Sequence, residues 1–344
     1  MDVNIALILL QDGLVNGAIY ALLALSLVMV FTVTRVIFIP QGELVAFAAL
    51  TYAALGAGHV PGSIWLLLAL GAGAFAMGIA RGRHTLTGGA VARIALECLV
   101  LPVAIALVAR GLAPTQPGVL LSALLTLAIV TPMAPYLHRL VFQPLAEASV
   151  LVLLIAAVGV HLALVGTGLV AFGPEGFRGT PLATGTLTLG TQTIPGQALA
   201  IGALAAVLMA LLGLFFGRTL TGKALRAVAV NRLGASLVGI GPARSGRIAF
   251  TLAGGIGAVS GVLVAPLTTV YYDSGFLVGL KGFVAAIIGG LLSYPIAVAA
   301  ALLVGCVESL SSFYASAFKE VIVFTTIIPV LLWRSLRSPA EEEE

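Results

Sequence analysis

Long uncharged apolar runs, separated by short breaks rich in glycine, proline or arginine, make up most of this chain. A membrane-crossing helix needs about 20 mostly apolar residues. Runs of that kind lie at roughly 6–31, 43–58, 63–80, 91–110, 118–139, 147–171, 196–217, 248–271, 282–312 and 320–334. The pattern predicts an all-α polytopic transmembrane bundle of about ten spans, organised as a single domain over 1–344. The second and third runs are one uncharged stretch, split at Gly56-Ala57-Gly58-His59-Val60-Pro61-Gly62 because proline and clustered glycines end helices. Both halves are short for a full crossing. The ninth is too long for one straight helix, and Gly289-Gly290 and Ser293-Tyr294-Pro295 interrupt it. A half-helix, a break and a second helix are expected over 282–312. Such broken backbone is tolerated at membrane depth only where protein or a water-filled cavity covers it.

Composition agrees with that reading. Of 344 residues, 60% are hydrophobic and 9% charged, against roughly a quarter charged in a soluble domain. Too few polar side chains exist to solvate the surface of a soluble enzyme. The formal charge of +4 reflects basic residues collected in a few loops, which in a membrane protein report orientation and not nucleic-acid binding. Cys98 and Cys306 sit inside apolar runs, so reduced thiols are expected.

The longest basic loop, Arg218 to Arg247, holds Arg218, Lys223, Arg226, Arg232, Arg244 and Arg247 with no acidic residue. It is expected in the cytoplasm. Propagation along the spans puts the N-terminus outside a plasma (inner) membrane. Arg35, the Arg81/Arg83/Arg93 group, Arg139 and the Arg334/Arg337 end then lie inside, and Arg110, Arg178, Lys281 and Lys319 outside. No basic residue precedes the first apolar run and no small-residue cleavage site follows it, so a removable signal peptide is not expected. Thr186 to Ile194, around Gly190, reads as a short external hairpin. The tail Glu341 to Glu344 reads as a solvated acidic end.

Catalytic signatures are weak. Gly217 to Lys223 matches a phosphate-cradling loop by spacing, but Ala224 stands where magnesium needs a hydroxyl, and a hydrophobic helix precedes it instead of a strand. His59, His84, His138 and His161 are scattered, so neither enzymatic activity nor a cofactor or metal is expected. Glycines four apart, Gly13/Gly17, Gly213/Gly217 and Gly257/Gly261, suit close helix contacts. Acidic residues in or beside spans each need a partner or a wet path. Glu97 has Arg93 one turn away. Glu43 suits a first helical turn by its dipole, Asp12 lies near Gln11 and Asn16 at an interface, and Glu308 has no local cation.

Between Gly222 and Gly241, Leu225, Ala229, Leu233 and Leu237 fall at i, i+4 spacing, which predicts one short surface helix. Ala227, Gly234 and Ala235 leave room for an approaching surface, and Arg226, Asn231 and Arg232 can bond across it. The stripe is narrow and lacks an aromatic anchor. It favours a protein partner over the lipid surface.

Here the sequence resembles the membrane permease subunits of branched-chain amino acid importers powered by ATP-binding cassettes. The matching residues begin with Asn16-Gly17, Tyr20-Ala21-Leu22, Gln41-Gly42-Glu43 and Phe142-Gln143-Pro144. They continue through Gly222 to Ala227, Ala235 to Ile240, Gly261-Val262-Leu263, Gly279 to Phe283, Ala285 to Gly290 and Glu308-Ser309-Leu310. The resemblance implies that the loop helix is a coupling helix seated in a cytoplasmic ATPase, with Arg226, Ala227, Asn231, Arg232, Ala235 and Gly239 at the contact. It also implies a second permease subunit (the same chain or another), two ATP-binding subunits that hydrolyse ATP in this chain's stead, and an extracytoplasmic substrate-binding protein. Asn16, Gln41, Glu43, Lys281 and Glu308 are the expected translocation path. The chain departs from the family's usual Asn-Phe-Ala-His-Gly-Glu run at Phe38 to Glu43, and has Val230 where an acidic residue is common. Gly82 to Arg139 reads as a two-span insertion into the family's eight, which leaves downstream orientation unchanged. Alternatives are uptake of urea, short amides or simple sugars, or an ion-coupled secondary transporter using Glu43, Glu97 or Glu308. The absence of inverted halves weighs against the last.

Overall fold

The computed structural model describes residues 3–82, 88–189 and 192–337. Arg83, His84 and the acidic tail lie outside them. The chain is an all-helical bundle whose only strands, among the described residues, form one hairpin. Among the described residues, eight helices are long and apolar enough to cross a membrane. They are α1 (Val3–Thr34), α3 (Ser63–Gly82), α4 (Gly88–Thr115), α5 (Val119–Phe142), α6 (Val150–Phe172), α7 (Gly196–Arg218), α10 (Pro242–Val264) and α12 (Tyr294–Tyr314). Between them lie the shorter α2 (Gln41–Gly56), α8 (Leu220–Val230), α9 (Arg232–Leu237) and α11 (Gly275–Ile288). Helices α13 (Lys319–Thr325) and α14 (Ile327–Arg337) end the described chain.

The ten expected spans thus become eight full-length helices. The 43–58 run is a buried 16-residue helix. The 320–334 run is cut into two pieces of 7 and 11 residues. The expected break in 282–312 is present. Helix α11 stops at Ile288, Gly290 and Leu291 take φ of 68° and 57°, and Pro295 sits in the first turn of α12, where its missing N–H costs nothing. The first half begins at Gly275, earlier than the apolar run suggests, because the polar Lys281 belongs inside it.

Small residues set the core. A Cβ on Gly13 would lie 2.7 Å from Cys306 Cα, and one on Gly17 2.8 Å from Leu302 Cα, so α1 and α12 pack almost backbone to backbone. Gly261 is equally tight against Val45 of α2, at 2.3 Å from its carbonyl oxygen. In lipid, where helices gain no hydrophobic drive from meeting, such close packing supplies the association. A Cβ added to Gly213 or Gly217 would meet no heavy atom of the described residues within 4 Å, so this pair makes no close helix contact among them, contrary to expectation.

The hairpin pairs Thr186–Leu189 (β1) with Gln192–Pro195 (β2), Leu187 opposite Ile194. It is fastened to one end of the bundle: Gln197 accepts from the Leu182 N–H and donates to the Leu263 carbonyl, and Arg178 donates to those of Pro266 and Leu267. At the opposite end α4 and α5 are tied to α10. Glu97 pairs with Arg93, as expected, at 3.9 Å, and with Arg247 at 3.2 Å, while the Tyr136 hydroxyl donates to the Glu97 carbonyl at 2.6 Å.

Candidate functional site

Two short helices meet by their N-termini inside the bundle. Gly42 opens α2 and Gly275 opens α11, and a Cβ on Gly42 would lie 2.0 Å from the Gly275 carbonyl oxygen. Only glycine at both positions permits that approach. The junction lies at mid-depth, because Glu43 beside it reaches His161 at the middle of the 23-residue α6: His161 Nδ1 to Glu43 Oε1 is 2.8 Å. The His161 ring stacks on Phe276 of α11, centroids 4.7 Å apart, so one imidazole clasps both half-helices. Glu43 is fully buried and, among the described residues, its Oε2 has no hydrogen-bond partner. A carboxylate there gains from the positive N-terminal end of α2. Gln41, at the start of the same turn, donates to the Ala253 carbonyl at 2.9 Å. Interrupted helices whose N-termini point to a site at mid-membrane are a recurring way to hold polar solutes in transporters.

A second cluster lies along α11. Lys281 Nζ is 2.5 Å from Glu308 Oε1 on α12 and 3.2 Å from Glu320 Oε1 on α13. The Tyr20 hydroxyl of α1 donates to Glu308 Oε2 at 2.5 Å. Lys281 is 5% and Glu308 6% exposed. Lys281, expected at the external surface, is therefore a buried ion-pair partner, and it supplies the cation that Glu308 lacks in its own helix. The cluster floors a cavity of about 480 Å³. Leu9, Ile19, Val264, Leu267 and Val278 form its apolar wall, and Asp12, Asn16 and Lys319 line its polar part. The cavity occupies the half of α1 that runs toward the hairpin, where Leu7 and Leu10 lie beside Ile194.

The five expected path residues thus fall into two groups. Asn16, Lys281 and Glu308 share the cavity, whereas Gln41 and Glu43 sit at the helix junction. His161, Tyr20 and Glu320 carry equal structural weight but are absent from the expected set. Isolated in sequence, His161 and Tyr20 each gain a partner from a helix over a hundred residues distant, and Glu320 gains Lys281 through the bend after α12.

The expected single helix between Gly222 and Gly241 is two. Asn231 ends α8 and caps α9, its Oδ1 accepting from the Gly234 N–H at 2.8 Å. Gly222 makes the corner after α7, since a Cβ there would lie 2.2 Å from the Phe215 carbonyl oxygen. A helix corner, not a phosphate loop, accounts for that glycine. The i, i+4 stripe divides as well: Leu225 is buried, while Leu233 and Leu237 are exposed. Ala235 is buried against the chain itself and Ala227 is half-buried, so neither offers a free surface. Arg226 and Arg232 reach the surface, Arg232 donating to the Ala146 carbonyl at 3.0 Å, and Gly239 turns the chain with φ 86°. The surface presented outward is apolar: Val230 at 87%, Leu237 at 80%, and Leu233 and Val238 beside them.

Known proteins resemble the chain. It is 30% identical over 204 residues to the high-affinity branched-chain amino acid transport system permease protein LivH of Salmonella typhimurium, covering 57% of this chain and 66% of that protein. With LivH of Escherichia coli K12 it shares 38% over 126 residues, 36% of this chain and 41% of the relative. These two matches thus span less than two thirds of either LivH. With the corresponding permease protein BraD of Pseudomonas aeruginosa the identity is 28% over 290 residues, 80% of this chain and 92% of the relative. The pattern that defines the branched-chain amino acid transport system / permease component family matches residues 9–331, from the wall of the cavity through both half-helices to α14. The chain, a polytopic bundle with interrupted helices and a buried ion pair beneath a cavity, therefore belongs to the branched-chain amino acid transport system permease family.

Proposed function

We propose that this chain is the membrane permease subunit of an ATP-driven importer and carries branched-chain aliphatic amino acids inward across the plasma (inner) membrane. The observation that carries the reading is the cavity of about 480 Å³ with an aliphatic wall over a floor of paired charges. An aliphatic α-amino acid is a zwitterion with an apolar side chain. Leu9, Ile19 and Val278 suit the side chain, while Glu308 and Asp12 suit the ammonium and Lys281 the carboxylate. In this reading the hairpin and the N-terminus are external, and a substrate-binding protein delivers solute there. The α8–α9 end is cytoplasmic, where Val230, Leu233, Leu237 and Val238 dock one of two ATP-binding subunits, with Arg226 and Arg232 at the rim. A second permease subunit completes the pathway, and α4–α5 are the two added crossings. ATP binding by the partners favours one of two access states by contact with α9, a population shift in which each state differs in partner contacts.

The test is reconstitution of the chain with a second permease, the ATPases and the binding protein in liposomes. ATP-dependent uptake of labelled leucine, competed by isoleucine and valine, is expected. Uptake driven equally by a proton gradient with no ATPase present overturns the mechanism, and competition by urea, short amides or sugars instead of leucine overturns the substrate.

A further inference from the structure

At the end of the bundle opposite the hairpin, the termini of α1, α3 and α5 and the start of α10 enclose two adjoining cavities. One, of about 190 Å³, is lined by His138, Arg139, Arg244 and Arg247. The other, of about 220 Å³, is lined by Arg81 and Arg232 and shares His138, Gln143 and Ala243 with the first. Among the described residues, no Asp or Glu lines either. Glu97 pairs with Arg247 and Arg93. Among the described residues Arg81, Arg139, Arg232 and Arg244 have no carboxylate within 4.0 Å.

Loop arginines that only report orientation extend into water. Arg139 does not. It is half-buried, its Nη2 so close to Gly78 that a Cβ there would lie 2.5 Å away, and its only hydrogen-bond acceptor among the described residues is Cys98 Sγ at 3.2 Å. A guanidinium carries five N–H donors, and a thiol is a weak acceptor for one of them. His138 is 5% exposed, faces both cavities and makes no hydrogen bond to the described protein. A buried imidazole and a half-buried guanidinium thus share a single-sign recess with most of their donors unspent. The start of α10, which lacks a side-chain cap, adds its own N–H groups at Ala243.

We propose that this recess is a phosphate-binding site, with His138, Arg139 and Arg244 holding the phosphate oxygens and Arg81 and Arg232 extending it to a second anionic group. Guanidinium to phosphate is the strong, geometrically matched form of charge-assisted hydrogen bond. The phosphate has two candidate sources, the headgroup of an anionic phospholipid or a free phosphate. The recess lies where four membrane-length helices begin or end, the depth of lipid headgroups, and Leu96, two residues before the Arg139 partner Cys98, is an exposed apolar side chain. Basic pockets between helices at that depth are suited to anionic headgroups.

The full chain, purified in a neutral detergent, is probed in two arms. Native mass spectrometry counts retained phosphatidylglycerol against phosphatidylcholine, and calorimetry follows inorganic phosphate added to lipid-depleted protein. Retention of phosphatidylglycerol over phosphatidylcholine, falling about tenfold in Arg244→Gln and further in Arg139→Gln/Arg244→Gln, is expected. Arg244→Lys should recover part of it. Phosphate binding with the same arginine dependence and no phospholipid preference supports the site with a soluble occupant. Arg139 contacts α4, so its loss can harm folding; Arg244, exposed on the first turn of α10, keeps the test valid alone. If neither probe binds the wild-type chain, or both bind Arg244→Gln as tightly, the proposal fails. The same holds if the variant loses only a co-purifying ATPase, which would make these arginines a protein contact.

Discussion

Replacing Lys281 with Met tests whether the buried charge cluster holds α1, α11, α12 and α13 together. The ammonium has Glu308 at 2.5 Å and Glu320 at 3.2 Å, and the side chains of Lys281 and Glu308 are 7% and 8% exposed, so water screens little of the interaction. Met fills most of the lysine's volume but leaves Glu308 buried with one donor, the Tyr20 hydroxyl. Breaking a buried pair from one side costs about 3–5 kcal/mol, chiefly from the uncompensated charge that remains. Glu320 adds less, being about one-third exposed and able to turn to water. The double variant Lys281→Met/Glu308→Gln removes both charges and keeps an acceptor for Tyr20. It should regain most of the loss, because a neutral pair of similar volume can replace a buried ion pair at little cost. The assay is reversible unfolding in mixed micelles followed by helical circular dichroism for the wild type, both single variants and the double. The cycle should return a coupling of about 2–4 kcal/mol. A single variant within about 0.5 kcal/mol of wild type, the range of surface pairs, refutes the argument. So does a double variant no more stable than Lys281→Met.

Further outcomes follow from the same packing. Gly42→Ala pushes a methyl to 2.0 Å from the Gly275 carbonyl. It should cost more than the usual range of about 1–3 kcal/mol for overpacking, read as a lowered thermal midpoint, whereas Gly213→Ala, whose Cβ meets open space, should leave the midpoint unchanged. His161→Ala removes the side-chain partner of the buried Glu43 Oε1; it should destabilise by about 1–3 kcal/mol, the cost of a buried polar group left without its partner, and Glu43→Gln in the same chain should restore part of it in the same unfolding assay. Leu237→Asp should abolish ATPase co-purification while leaving the unfolding midpoint in place, since the side chain is exposed. Ala235→Trp should fail differently, by loss of folded protein, because that site is buried in the chain's own packing. Stable Leu237→Asp that still retains the ATPase would place the docking surface elsewhere.

The local pattern of the sequence determined the class of the protein and much of its course. Runs of about 20 apolar residues cannot remain in water, so membrane spans follow from composition and length alone. The break after Ile288 follows from glycines and a proline, whose backbone limits act in any surroundings. The Thr-rich hairpin, the close packing at Gly13/Gly17 and Gly257/Gly261 and the Arg93–Glu97 pair were legible for the same reason: each is written in residue types within a turn or two of one another. Only the tertiary structure decided which distant residues meet. His161 finds Glu43, and Lys281 finds Glu308, through the packing of whole helices, which also brings Tyr20 to Glu308. Nothing local marks those encounters. Helices α1 and α2 are apolar nearly all round, so no polar stripe says which face lies inward. The Gly222–Gly241 segment failed as one helix because Asn231 gains more by capping α9 than by continuing α8, and that choice turned Ala235 inward and Leu237 outward. Local chemistry sets where helices begin and end; long-range packing sets what their side chains touch.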